Sequence, residues 1–137
     1  MCPLCLTQIS WVAVIVAAVL SFFIGMLWYS PVLFAERWAR AAKFTFDENM
    51  SIAPCMIGAL ILALAQAYGI AWFLEHTQSF TLMSAYTVAS LLSVVFVGSQ
   101  LVSLWLWERR SSELMILNIG CAFVSFIAMA TVFVMFA

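Results

Sequence analysis

Apolar residues fill four long stretches of this chain, residues 1–35, 49–74, 77–107 and 114–137, and none of these stretches contains a charged side chain. Polar and charged positions are confined almost entirely to the short gaps between them. Each stretch can supply a helix of about 20 residues, which at ~1.5 Å per residue crosses ~30 Å of hydrocarbon. Helices apolar all round are built for lipid or for burial among other helices. The pattern predicts an all-α, integral membrane four-helix bundle forming a single transmembrane domain over residues 1–137. Its spans lie at about 9–29, 52–73, 81–107 and 114–136.

The gap after the first span carries its own pattern. Ser30-Pro31 reads as a helix start, with a capping serine and proline at the first helical position. From Val32 to Phe44, Leu33, Phe34, Trp38 and Ala41 alternate with Glu36, Arg37, Arg40 and Lys43. This predicts a short interfacial amphipathic helix at about 31–44, with Phe34 and Trp38 turned into the membrane. Thr45-Phe46-Asp47-Glu48 fits a capping box ahead of the second span. Ser111 or Ser112 can cap the fourth, with Glu113 in its first turn.

Charge then orients the bundle. The first connection holds Arg37, Arg40 and Lys43 and the third Arg109 and Arg110, whereas the second has only Glu75 and His76. By the positive-inside bias the first and third connections face the cytoplasm or the mitochondrial matrix. Both termini then lie on the periplasmic or intermembrane side of a bacterial cytoplasmic or mitochondrial inner membrane. The first stretch lacks the leading positive charge of a cleavable signal peptide and is expected to remain as a span. Trp11, Trp28, Trp72, Trp105 and Trp107 fall near span ends, where an indole settles at headgroup level.

Composition narrows the function classes. Hydrophobic residues make up 67% of the chain, and the mean hydropathy is +1.16. No water-soluble surface could be built from that. Five basic against six acidic residues leave no cationic stripe for nucleic acid. The expected surroundings are the lipid bilayer and other membrane-protein subunits or copies of the chain.

Small residues recur at every fourth position along two spans. Ala13, Ala17, Ser21 and Gly25 form one tape, and Ala59, Ala63, Ala67 and Ala71 the other. Such tapes let helix backbones approach closely, either within one chain or against a neighbour.

Three motifs carry a family resemblance. Gly25-Met26-Leu27-Trp28-Tyr29-Ser30-Pro31-Val32-Leu33-Phe34, followed by Trp38, resembles the first-span signature of the domain-of-unknown-function family 1761, small membrane proteins usually of four spans. Leu106-Trp107-Glu108-Arg109-Arg110-Ser111 is similar to the segment closing that family's third span. Asn118-Ile119-Gly120 matches its fourth. Ala35 stands where the family commonly has glycine, and Cys121 where an aromatic often follows Asn-x-Gly. The resemblance implies a shared fold and no established activity.

Chemistry is sparse. No ionisable side chain other than the cysteine and tyrosine groups lies within a span, and proton-coupled transporters usually keep a buried carboxylate or base. The intramembrane polar groups are chiefly Gln66, Gln100 and Asn118, with serines such as Ser90, Ser93, Ser99, Ser103 and Ser125. They are expected to point toward protein and to bond across helices, since hydrocarbon offers amides no partner. Lining a path for a neutral solute is the other use open to them. Cys2 and Cys5 form a C-x-x-C pair, able to close a disulfide or, with His76 and Met83, to hold a soft metal. Set against this, an isolated pair at a terminus and a lone loop histidine are usually inert, so no metal site and no cofactor are expected. Serines without a buried base give no nucleophile to propose, and the chain is expected not to be an enzyme. The leading expectation is a non-catalytic structural or accessory subunit of an oligomer or larger membrane complex. The alternative is a small-solute transporter or channel working as an oligomer.

Overall fold

The computed structural model describes residues 9–45, 49 and 51–136. Among them are five helices and no strand: α1 Trp11–Trp28, α2 Ala35–Ala42, α3 Ala53–His76, α4 Leu82–Glu108 and α5 Ser112–Phe136. All but α2 are long and apolar enough to cross a membrane. The all-α bundle with four candidate spans and one short helix after the first is as the hydropathy pattern predicts.

Local chemistry explains most helix ends. Ser10 caps α1, its hydroxyl accepting from Ala13 N at 3.3 Å. Thr81 and Ser84 form a reciprocal capping box at the start of α4. Ser111 Oγ accepts from Glu113 N at 3.2 Å, so Ser111 rather than Ser112 holds the first turn of α5. The α3 helix runs three residues beyond the predicted end. Thr77 then closes it, its hydroxyl donating to Phe73 O at 2.7 Å.

Two expectations at the first connection need correction. Ser30 does not start the short helix. Its hydroxyl donates back to Leu27 O at 2.6 Å, sealing the end of α1. Residues 31–34 form turns that fold Phe34 onto Trp28, ring centroids 4.9 Å apart, and α2 begins only at Ala35. Aromatic packing overrides the capping signal. Nor does the Thr45–Glu48 box cap α3, which begins at Ala53 with Pro54 in its first turn; Phe46, Asp47 and Glu48 lie outside the described residues.

Within α4, residues Leu92–Gly98 are π-helical, between α-helical Leu82–Leu91 and Ser99–Glu108. A π turn widens the helix and shifts the facing of every side chain after it. The buried core joins Val14, Ala17 and Ala18 of α1 to Ala63, Ala67, Ile70 and Ala71 of α3, Ala85 and Ala89 of α4, and Phe126, Met129 and Ala130 of α5. The α5 helix is the hub, packing against each of the other four. Bulky apolar residues such as Phe23, Ile57, Ile61, Leu91 and Phe96 cover the outside, as a lipid-facing surface requires.

Candidate functional site

The three motif segments do not scatter; two of them meet. Trp28, the last residue of α1, donates its indole N–H to the Leu117 carbonyl of α5 at 3.1 Å. Its ring lies over Gly120, where an added Cβ would come within 3.0 and 3.3 Å of two ring carbons. Glycine at 120 therefore lets the indole lie close without displacement, where any Cβ would make the ring yield by a few tenths of an ångström. Next along, the Tyr29 hydroxyl donates to Asn118 Oδ1 at 2.7 Å. The Cys121 thiol stands beside the Tyr29 and Ser125 hydroxyls, at the position where the related pattern has a ring. Trp28 is thus less an interfacial anchor than a clasp between the first and last spans.

The short helix closes over this clasp. Trp38 meets Tyr29 edge-on with ring centroids 5.8 Å apart, and Phe44 at 5.5 Å. Phe34 and Trp38 are half-buried, each packed against an aromatic ring at the end of the first span. Arg37 reaches Glu113 at 3.9 Å on an exposed surface, an ion pair worth at most ~1 kcal/mol. Pro31 and Leu33 occupy the exposed turn itself, and Glu108 pairs with Arg110 at 2.6 Å where α4 ends.

Beneath the clasp an open groove of about 720 Å³ runs between α1, α3 and α5. Its polar lining comes from Ser21, Tyr29, Gln66, Asn118 and Ser125, with no charged group. The two tapes explain the groove's shape. Ala13, Ala17 and Ser21 are buried, as are Ala63, Ala67 and Ala71. Gly25 and Ala59, at the ends of the tapes, instead line the groove, and a Cβ built on Gly25 meets nothing within 4 Å. The first half of α3 stands away from its neighbours there.

The polar residues divide. Asn118 bonds across helices, and Gln66 sits at the groove's edge. Gln100 is exposed on the outer face of α4, contrary to the expectation that it points toward protein. The π-helical turn just before it re-aims that end of the helix. His76 stacks on Trp72 with ring centroids 3.9 Å apart, and its Nδ1 donates to Trp72 O at 2.9 Å. No metal-ligating cluster occurs among the described residues; Cys2 and Cys5 lie outside them. The Gly120–Trp28 fit was hidden in the sequence, though the glycine two residues after an intramembrane asparagine was its one visible trace.

A family model described as "Protein of unknown function (DUF1761)" matches residues 12–134 of this chain. No curated protein and no solved structure matches it.

Proposed function

The chain belongs to the DUF1761 family, and from that starting point we propose that it is a non-catalytic subunit, structural or accessory, of an oligomer or larger membrane-protein complex. The observation that carries this is the uncovered end of the small-residue tapes. Gly25 and Ala59 present almost bare backbone in a groove wide enough for side chains of another helix, the arrangement by which membrane helices associate. Lipid would fill that groove loosely; a partner helix fills it closely.

Gly25→Leu tests the reading, because a Cβ built at this position meets nothing within 4 Å and points into open space. Mild-detergent extraction followed by mass spectrometry should recover partner chains with the parent protein, and at least tenfold less of them with the variant. The variant itself should accumulate normally, since leucine favours the bilayer core. Recovery of the parent as a monomer that moves a solute across liposomes unaided would sink the proposal. It would favour the second reading, a neutral-solute path along Ser21, Gln66, Asn118 and Ser125, which line the same groove.

The membrane we propose is the bacterial cytoplasmic or the mitochondrial inner one, with the α2 end inside. Arg37, Arg40, Lys43, Arg109 and Arg110 all belong to the connections at that end. A membrane-impermeant maleimide should label Cys2 and Cys5 from the periplasmic or intermembrane side in intact cells or organelles. Labelling confined to inverted vesicles or inside-out preparations would reverse the assignment.

A further inference from the structure

The second half of α4, Ser99–Glu108, contains no buried residue, and its packing onto another helix within the chain is against α5. Gln100 sits on its outer face, and no hydrogen bond among the described residues engages its amide. Trp107, 86% exposed, and Trp105 mark the headgroup level at this end of the helix. Gln100 therefore lies roughly 8–10 Å deeper, at ~1.5 Å per residue, too far for a short side chain to reach water. An unpaired amide at that depth is unfavourable, because lipid tails neither donate nor accept.

We infer that this face of α4 is the interface between two copies of the chain, with the Gln100 amide of each donating to and accepting from its counterpart. Three considerations favour a second copy as the occupant. A carboxamide carries both donor and acceptor and is its own complement. Two copies inserted in the same orientation hold Gln100 at one depth about a two-fold axis along the membrane normal, so the contact closes on itself. Ser103, one turn further along the same face, is small enough for two helices to approach, and residues 92–107 carry no charge to repel a copy. This inference rests on the assembly reading but uses a face of the bundle separate from the groove.

The test uses the full chain in liposomes, with Cys2, Cys5, Cys55 and Cys121 replaced by serine and a single cysteine introduced as Ser103→Cys. Oxidation should yield disulfide-linked dimer far faster than with Ile61→Cys, a control on the exposed side of α3. Adding Gln100→Leu should weaken dimerisation about tenfold, with helicity and thermal unfolding unchanged because the side chain is exposed and makes no hydrogen bond among the described residues. Gln100→Asn, which keeps the amide, should recover part of the loss. Equal cross-linking at positions 61 and 103, or undiminished dimer with Gln100→Leu, would overturn the proposal. Partner chains co-purifying with Gln100→Leu are scored in parallel. Their retention with loss of the homodimer is the expected result, and their loss only with Gly25→Leu concerns the groove reading alone.

Discussion

Replacing Gly120 by leucine should destabilise the bundle by about 2–3 kcal/mol, the cost of forcing extra carbons into a filled site. The first of those carbons already comes within 3.0 Å of the Trp28 ring. The indole cannot slide away freely, because its N–H is held by the Leu117 carbonyl and its ring packs against Phe34. Leucine must therefore break the clasp between α1 and α5. Reversible unfolding in mixed micelles, followed by tryptophan fluorescence, should show the loss. Gly120→Ala should cost less, since the ring need yield only a few tenths of an ångström. If Gly120→Leu unfolded with the parent protein, the clasp would be irrelevant to stability.

Ala67→Leu should be comparably severe, at about 1–3 kcal/mol. Ala67 is fully buried in the tape by which α3 lies on α1, in a cluster with Val14, Ala17 and Ala18 of that helix. The two backbones must separate, so spin labels on the outer faces of α1 and α3 should move apart. The same exchange at Ala59, eight residues earlier and exposed, should leave both distance and stability unchanged. Equal effects at 59 and 67 would show that the tape does not seat one helix on the other.

These two sites also mark what could be read in advance. Hydropathy located the four spans, because a bilayer demands uninterrupted apolar length. Small-residue spacing picked out Ala13, Ala17, Ala63, Ala67 and Ala71, all buried, but left open whether the tapes meet each other or a neighbour. Which faces look inward was otherwise obscure: a leucine suits lipid and protein interior equally, so Ile61 and Ile70 read alike although one is exposed and the other buried. The π-helical turn left no visible mark in Leu92–Gly98, and without it the facing of Gln100 could not be assigned. At the first connection, Ser30-Pro31 gave a sound local signal that long-range stacking of Phe34 on Trp28 outweighed.

The position of α5 as hub sets the order in which the bundle can form during synthesis. It is the last of the four spans to leave the ribosome, yet α1, α3 and α4 each depend on it for packing. When α3 is finished at His76, sixty residues still separate it from Phe136. At ~5–20 residues per second this interval lasts ~3–12 s. During it, the Trp28 indole has no Leu117 carbonyl to bond, and Tyr29 has no Asn118. Nascent chains therefore wait in the membrane half-assembled, their inner faces open to chaperones, proteases or early partners, until the fourth helix arrives and locks the other three at once.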